Sequence, residues 1–426
     1  MGTRGSSAGA SVEVEPGKVG FDGKRLARID THFQQYIDDG RLPGWDIVVS
    51  RQGKVVHRAT AGWRDREADL RVEADTIFRI YSMSKPITSV AALMLYEEGA
   101  FDLKDPVSRF IPSFADVRVF RSGTHLNPVL EPAMEPVRIW HLLTHTAGLT
   151  YGFHNSTPVD AMYRAAGFEL GTPPGADLAA CCDIWAGLPL LHQPGAEWNY
   201  SVATDVLGRV VEVASGMTLD RFFAERIFEP LGMVDTGFFV PDADHDRLAQ
   251  LYIPDPAVTP STEAPAVPID ILGQQAKKPP SMLGGGGGLV STTADYHRFC
   301  QMLLGGGELD GARLLGTRTL AFAGQNHLPG GADLESIGRP LFSETSYDGI
   351  GFGLGFSVVL DPAKNKLLSS EGELAWGGAA STGFWVDPRE DISVIFMTQL
   401  LPSSTHPIRT QLRQLVYSAL VDPLPA

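Results

Sequence analysis

Cysteine is scarce in this sequence, and long apolar runs are absent. Only three of the 426 residues are cysteines, Cys181, Cys182 and Cys300. Two of them are adjacent, which is a poor framework for disulfide bonds, so we expect all three to be buried thiols. No apolar stretch approaches the ~18 residues of a transmembrane helix, and the N-terminal segment lacks the apolar core of a secretory signal. We therefore expect no membrane span and a cytoplasmic protein.

Basic residues are also few. Lysine and arginine total 35 against 50 aspartates and glutamates, a formal net charge of −15. This balance argues against nucleic acids and anionic membranes as partners, because both require basic surfaces. The hydrophobic fraction of 43% and the charged fraction of 20% are those of a globular protein. The length suggests two or three domains, or one domain with a large insert.

Several catalytic and binding motifs are missing. The sequence contains neither Gly-x-Ser-x-Gly, the nucleophile elbow of α/β-hydrolases, nor His-Glu-x-x-His, a zinc-protease motif. The glycine run 284–288 lacks the Lys-Ser/Thr of a phosphate-binding loop. His141 and His145 have a spacing that suits a metal on a helix, but no acidic residue is placed nearby as a further ligand. We expect hydrogen-bonding roles for them, and neither a metal nor another cofactor.

Strand-like runs occur near both ends of the chain and predict three β-hairpins. The paired runs are 46–50 with 55–59, 353–360 with 366–370, and 381–386 with 392–399. We therefore expect an α/β fold with one antiparallel sheet that is assembled from both termini and flanked by helices.

The middle of the chain has the 3.6-residue apolar period of helices. The predicted helices are 86–98, 138–143, 203–214 and 219–228. This pattern predicts an α/β domain from 18–95 and 216–426, an all-helical insert at 96–215, and a flexible tail at 1–17. Seven prolines fall between positions 254 and 280, so we expect no regular structure there; the segment forms either a wall over a site or an idle surface loop.

Ser82 and Lys85 form the first candidate catalytic pair. Pro86 fits only the first turn of a helix, and the apolar period begins directly after it, so a helix must start close to Ser82. Free N–H groups at a helix start favour negative charge, and the Ser82 N–H could serve as half of an oxyanion hole. Lys85 is three residues further on and shares a helix face with Ser82. A desolvated amine there could accept the serine proton; the alternative is a helix cap beside a solvated lysine.

Two other segments could complete such a site. Tyr200 follows a Pro-Gly turn and precedes a predicted helix, which could direct its phenol into a cleft as a general base; the alternative is a packed core tyrosine. Trp376, Gly377, Gly378 and Ala379 precede a predicted strand. The two glycines allow another group to approach the backbone, and the Ala379 N–H could be the second oxyanion donor. The alternative there is a β-bulge or tight bend.

Together these segments resemble the serine β-lactamase and penicillin-binding-protein superfamily, and most closely the family VIII carboxylesterases, which have a class C β-lactamase-like fold. The matching stretches are residues 78–85, 141–149, 194–201, 230–236, 284–291 and 376–378. They occur in the order of that family, from about residue 25 to about residue 400, and are far more specific as a set than any single motif.

The resemblance implies roles for the candidate residues. Ser82 matches the acylated nucleophile and Lys85 the residue that deprotonates it. Tyr200 matches the first residue of the Tyr-x-Asn motif, the partner base that also protonates the leaving group. The backbone N–H groups of Ser82 and Ala379 match the oxyanion hole, and Trp376, Gly377 and Gly378 take the place of the substrate-binding Lys-Thr-Gly motif.

Two departures from the β-lactamase pattern bear on the substrate. The third residue of the Tyr-x-Asn motif is Val202, and the lysine of Lys-Thr-Gly is Trp376. Loss of a cation removes a charge-assisted contact of about 1.5–3 kcal/mol, which favours neutral, small esters over anionic β-lactams. The resemblance implies hydrolysis of short-chain carboxylic esters through an acyl-enzyme, with β-lactams as weak substrates at most. The rivals are a β-lactamase or D-amino-acid peptidase, an acyltransferase, and a non-catalytic binding module.

Overall fold

A computed structural model describes residues 11–339 and 346–425. The strands described are β1 Gly44–Arg51, β2 Lys54–Asp65, β3 Leu70–Arg71, β4 Phe78–Arg79, β5 Arg118–Gly123, β6 Pro128–Pro132, β7 Tyr252–Pro254, β8 Ala266–Pro268, β9 Val290–Ser291, β10 Glu308–Leu309, β11 Ala312–Arg313, β12 Ile350–Phe352, β13 Ser357–Val359, β14 Leu374–Gly377, β15 Gly383–Asp387 and β16 Ile392–Met397.

The helices lie before, between and after these strands. They are α1 Gly23–Leu26, α2 Arg28–Asp38, α3 Ser84–Glu97, α4 Ile139–Leu143, α5 Pro158–Ala165, α6 Leu178–Gly187, α7 Ala203–Ser215, α8 Leu219–Phe223, α9 Glu229–Leu231, α10 Asp270–Gly273, α11 Thr293–Leu304, α12 Thr317–Ala323, α13 Leu334–Ile337, α14 Pro362–Asn365 and α15 Ile408–Ala419. No helix in the described part of the chain is both long and apolar enough to cross a membrane.

The main sheet is antiparallel and joins the two ends of the chain. Its strand order is β12-β13-β14-β15-β16-β1-β2-β3, and the junction between the ends is the pairing of β1 with β16, from Asp46 opposite Met397 to Arg51 opposite Ile392. The expected α/β fold with an antiparallel sheet from both termini is therefore confirmed.

Helices cover both faces of the sheet because alternate strand residues point to opposite sides. Phe384 and Ile395 lie in the apolar core that contains residues of α3, α7 and α11. Their neighbours Trp385 and Phe396 lie in the second core, with residues of α2 and α15. Helix α3 is buried on every side from Ser84 to Leu95, so polar groups on it are removed from water.

The predicted helices 86–98, 138–143 and 203–214 correspond to α3, α4 and α7, and 219–228 corresponds to α8 followed by a π-helical turn, Ala224–Phe228. Two of the three predicted hairpins are also confirmed. The runs 46–50 with 55–59 and 381–386 with 392–399 lie in β1–β2 and β15–β16. The third hairpin is wrong, because 366–370 is not a strand and β13 pairs with β14 instead. Asp361 caps α14, with its side chain accepting the Lys364 N–H, and Lys366 follows with φ +62°, so the chain turns away from the sheet before it returns at β14.

Two further expectations are corrected. The insert at 96–215 is not all helical, since β5 pairs with β6; most of that ribbon is exposed and carries no alternating apolar pattern. The proline-rich segment 254–280 is not wholly irregular, since β7 pairs with β8 and α10 follows. Pro254 and Pro268 are the last residues of their strands, where a missing N–H costs little.

The predicted tail and domain division are only partly covered. Residues 1–10 of the predicted tail lie outside the described residues. Glu13 donates its N–H to Val55 O at 2.9 Å, and its carboxylate accepts the Val55 N–H at 2.8 Å, so this part of the segment is attached to β2 rather than loose. The division into an α/β domain and an insert stays a prediction.

Candidate active site

Ser82 and Lys85 lie together at the start of the buried helix α3. Ser82 belongs to a single 3₁₀ turn, Tyr81–Met83, that runs directly into the helix. The Lys85 Nζ lies 3.3 Å from the Ser82 Oγ, and the lysine is only 2% exposed. The turn is secured by Ser84, whose hydroxyl donates to Tyr81 O at 2.6 Å and accepts the Leu289 N–H at 3.1 Å. The predicted placement of this pair is therefore observed.

Two further groups hold the amine of Lys85. Its Nζ donates to the Gly286 carbonyl oxygen at 2.6 Å and to the Tyr151 hydroxyl at 3.1 Å. A buried amine without such partners would carry a large desolvation cost, so these contacts fix the side chain toward Ser82.

The glycine run explains how a backbone carbonyl reaches the lysine. The Gly286 N–H donates to Asp205 Oδ1 at 2.8 Å, and a β-carbon on Gly286 would lie 2.5 Å from Asp205 Oδ2. A β-carbon on Gly285 would lie 3.0 Å from both Thr204 O and Thr88 Cγ2. Side chains at these two positions would therefore push the loop away from α3 and α7. The run serves close backbone packing, which the sequence alone did not reveal.

Asp205 places a carboxylate in the same buried region. It lies in the first turn of α7 and is 5% exposed. Burial raises the pKa of this carboxyl above its ordinary value, and the nearby Lys85 acts in the opposite direction. The sequence analysis did not single out Asp205, because a lone acidic residue at a helix start is a common stabilising feature.

Tyr200 reaches the lysine through its ring. It lies just before α7, as predicted, and its ring centroid is 4.4 Å from Lys85 Nζ. Its hydroxyl accepts from Trp376 Nε1 at 3.4 Å. The hydroxyl that bonds to Lys85 is that of Tyr151, which the sequence analysis missed although it lies two residues beyond the matched stretch 141–149. Burial, followed by the charges of Asp205 and Tyr200, raises the pKa of Tyr151 well above its ordinary value, so this phenol keeps its proton at neutral pH.

The two histidines that suited a metal make hydrogen bonds instead. His141 Nδ1 accepts the Arg138 N–H at 3.1 Å, and His145 Nδ1 lies 3.2 Å from Ser201 Oγ. Burial, reinforced by the charge of Lys85, lowers the pKa of His145 well below its ordinary value. Across residues 11–339 and 346–425 no group of three or more His, Cys, Asp or Glu side chains is arranged to hold a metal. The three cysteines are free and buried.

Gly377 and Gly378 lie beside the turn that carries Ser82. A β-carbon on Gly378 would be 2.4 Å from the carbonyl oxygen of Ile80, two residues before Ser82. Gly378 therefore allows the end of β14 to contact the segment that carries Ser82. Trp376 is 9% exposed and packs against Tyr200 and Phe352, with ring centroids 5.5 and 5.3 Å apart.

A cavity of about 610 Å³ opens over these groups. Its walls include every predicted site residue except Lys85, namely Ser82, Tyr200, Trp376, Gly377, Gly378 and Ala379. Apolar and aromatic side chains form much of the remaining wall, among them Phe153, Phe168, Leu170, Trp185, Met282 and Tyr347. The cavity thus has the mainly apolar lining of a small-molecule site, with a minority of charged side chains that include Glu373, Arg409 and Arg413.

Comparisons with known proteins match the chain over most of its length. The Beta-lactamase family matches residues 29–418. The chain is 37% identical to protein Rv1367c of Mycobacterium tuberculosis over 373 residues, 87% of this chain and 88% of that protein. It is 31% identical to esterase EstB of Burkholderia gladioli over 422 residues, 96% of this chain and 99% of that protein.

A solved structure matches at nearly full length. EstCE1, described as a hydrolase with promiscuous acyltransferase activity, superposes with a TM-score of 0.78 at 30% identity, covering 92% of this chain and 99% of that chain. The chain therefore belongs to the Beta-lactamase family, as a serine hydrolase on the β-lactamase scaffold, and the recognition made from its motifs is confirmed.

Proposed function

We propose that the protein is a serine carboxylesterase that hydrolyses neutral, short-chain esters through an acyl-enzyme on Ser82. The observation that carries this proposal is the 3.3 Å contact between Ser82 Oγ and Lys85 Nζ at the base of the cavity. A hydroxyl beside a buried amine is an activated nucleophile.

The partners of Lys85 suit a general base. A neutral amine has two N–H groups and one lone pair. Donation to Gly286 O and to the Tyr151 hydroxyl occupies both N–H groups and leaves the lone pair for the proton of Ser82. Ser82 Oγ then attacks the ester carbonyl carbon, and the negative charge on the carbonyl oxygen is held by the N–H groups of Ser82 and Ala379.

Collapse of this intermediate breaks the ester C–O bond. The alcohol leaves with the proton that Lys85 took from Ser82. The Tyr200 hydroxyl is proposed to relay it, and must turn from Trp376 to accept from Nζ. Water then attacks the acyl-enzyme, gives up its proton by the same route, and releases the carboxylic acid and Ser82. Tyr151 keeps its proton and holds the amine in place throughout.

The walls of the site favour neutral substrates. Trp376 stands where β-lactamases have a lysine, so a substrate carboxylate has no cation at that position, and much of the cavity wall is apolar or aromatic. The two arginines that also line the cavity, Arg409 and Arg413, bind the Gly378 carbonyl oxygen and Glu373. The relative EstB is named an esterase, which supports the same substrate class. β-Lactam or D-amino-acid peptide cleavage would then be a weak side activity on the same acylation machinery.

Acyl transfer is a second candidate function. The structural neighbour EstCE1 is described as having promiscuous acyltransferase activity, and an apolar cavity can admit an alcohol in place of water. The acyl-enzyme would form identically, and only its discharge would differ. Product analysis with and without an added alcohol separates ester exchange from hydrolysis.

Intact mass spectrometry tests the nucleophile. The protein is mixed with a slowly hydrolysed p-nitrophenyl ester and quenched over time. We expect an adduct with the mass of one acyl group on the wild type and none on Ser82→Ala, with turnover lost in that variant. Ser122→Ala, at an exposed position of β5, is the control for a lost hydroxyl and should still acylate. A wild type that neither acylates nor turns over would indicate a non-catalytic binding module instead.

A further inference from the structure

Helix α15 contributes a guanidinium to the turn that carries the second oxyanion donor. Arg409, near the start of α15, donates through Nη2 to the Gly378 carbonyl oxygen at 2.9 Å and to the Thr382 carbonyl oxygen at 2.7 Å. Its Nε also donates to Thr382 O, at 3.2 Å. One side chain thus bridges both ends of the turn 378–382, between β14 and β15.

The two strands are built to admit this guanidinium. Gly377 and Gly383 face each other across β14 and β15. A β-carbon on Gly377 would lie 2.4 Å from Arg409 Cζ, and one on Gly383 would lie 3.0 Å from its Nε. The glycine pair therefore forms a slot for Arg409, a role separate from access for a substrate.

The rest of the turn is fixed independently of Arg409. The Gly378 N–H donates to Thr382 O at 2.9 Å. Ser381 has φ +66° and donates its hydroxyl to Leu400 O at 2.7 Å. Rotation of the peptide plane between Gly378 and Ala379 would redirect the Ala379 N–H without breaking either of these bonds.

Arg409 restrains that rotation. In a trans peptide the C=O and the following N–H point in opposite directions within one plane. A Gly378 C=O held toward Arg409 therefore directs the Ala379 N–H away from α15. Ala379 is exposed to the cavity that Ser82 also lines, and no backbone carbonyl of the described residues accepts its N–H.

We propose that Arg409 is a positioning residue that orients the Ala379 N–H as an oxyanion donor. The inference rests on the proposed esterase function and deepens it. Arg409 also lines the cavity, but the proposed role rests on its hydrogen bond to the Gly378 carbonyl oxygen, which fixes the 378–379 peptide. Its loss should therefore weaken transition-state binding and leave ground-state binding of a neutral ester unchanged.

The test compares Arg409→Met and Arg409→Lys with Arg413→Lys. Arg413 lies one turn further along α15 and pairs with Glu373 at 2.7 Å, so it controls for a lost guanidinium fork on the same helix. For Arg409→Met we expect kcat for a p-nitrophenyl ester to fall by about 10- to 100-fold with KM unchanged, since loss of a whole oxyanion donor costs about 100- to 1,000-fold. The kcat of Arg409→Lys should lie between that of Arg409→Met and that of wild type. The kcat of Arg413→Lys should stay within about twofold of the wild-type value.

A second readout reports the oxyanion site itself. Phenylboronic acid forms a reversible tetrahedral adduct with an active-site serine, and its dissociation constant should rise in Arg409→Met by the same factor as kcat falls. An unchanged kcat, or a rise in KM alone, overturns the inference. If Arg409→Met does not fold, the kcat and KM of Arg409→Lys decide by the same criteria. A wild type without acylation on Ser82 would defeat the proposed function itself, which is a separate outcome.

Discussion

The Lys85 amine lies 3.1 Å from the Tyr151 hydroxyl, whereas its contact with Tyr200 is with the ring, whose centroid is 4.4 Å from Nζ. The two tyrosines are therefore not equivalent. Tyr151 is a hydrogen-bond partner of the amine, whereas Tyr200 directs its hydroxyl toward Trp376. This difference separates the tyrosine that positions the base from the one proposed to carry a proton.

Phenylalanine substitutions distinguish the two roles. Tyr200→Phe should lower kcat for a p-nitrophenyl ester by about 100-fold or more, since general acid–base groups contribute about 100- to 10,000-fold. Tyr151→Phe removes one hydrogen bond to the amine and should cost about tenfold. Steady-state kinetics on both variants is the measurement. If Tyr151→Phe is the more damaging, Tyr151 rather than Tyr200 carries the proton.

The glycine run offers a matched pair of alanine variants. Gly286→Ala places a β-carbon 2.5 Å from Asp205 Oδ2, whereas in Gly287→Ala the nearest atom, the carbonyl carbon of Tyr81, is 3.7 Å away. Gly286→Ala should lower the free energy of unfolding by about 1–3 kcal/mol and reduce kcat, because the carbonyl that binds Lys85 moves. Gly287→Ala should stay within about 0.5 kcal/mol of wild type. Chemical denaturation and ester turnover measure both effects, and equal behaviour of the two variants would contradict the proposed packing.

Trp376 should determine the preference between esters and β-lactams. Trp376→Lys restores a cation whose contact with a carboxylate is worth about 1.5–3 kcal/mol. We expect the ratio of kcat/KM for nitrocefin to that for p-nitrophenyl acetate to rise at least about tenfold, even if both values fall through lost packing. Trp376→Phe is the uncharged control and should leave the ratio near that of wild type. If Trp376→Lys leaves this ratio unchanged, residues other than Trp376 determine the preference for esters over β-lactams.

Buried His141 should make stability sensitive to acid. Burial lowers its pKa from 6.5 to about 4. Below pH 6.5 the unfolded chain therefore binds a proton at this residue that the folded chain does not bind. The stability that depends on neutral His141 is fully present above pH 6.5. As the pH falls toward 4, the free energy of unfolding decreases by about 3 kcal/mol because of this residue. His141→Gln keeps an acceptor for the Arg138 N–H but does not titrate. The unfolding free energies of both proteins are measured from pH 7.5 to 4.5. The loss of stability in His141→Gln should be smaller than the loss in wild type by up to about 3 kcal/mol. Parallel curves for the two proteins would exclude the effect.

The sequence was sufficient for features with local rules. The Ser82-x-x-Lys85 spacing, with Pro86 in the first turn of a helix, placed two side chains on one face, and the structure has them 3.3 Å apart. Strand-like runs on either side of short turns located β1, β2, β15 and β16, and the ordered set of motifs indicated the fold.

Features set by distant contacts could not be read in this way. Tyr151 becomes a partner of Lys85 only when its loop packs over α3, and the carbonyl of Gly286 arrives from 201 positions away. The run 366–370 looks like a strand, but the preceding cap at Asp361 diverts the chain into α14. In the sequence, Arg409 is not distinguishable from other polar residues of a helix. Its role becomes apparent only from the slot that Gly377 and Gly383 form for its guanidinium.

The junction of the two chain ends in the sheet also orders events during synthesis. Ser50 and Ser393 share a 2.6 Å hydrogen bond although they are 343 positions apart. Ser82 is synthesised before β14, β15 and β16. A nascent chain lacks the neighbour of β1, the Ala379 turn and α15 until those segments have emerged from the ribosome. The proposed site therefore cannot assemble on the Ser82–Lys85 helix alone, and a chain terminated before β14 would carry that helix without the Ala379 turn.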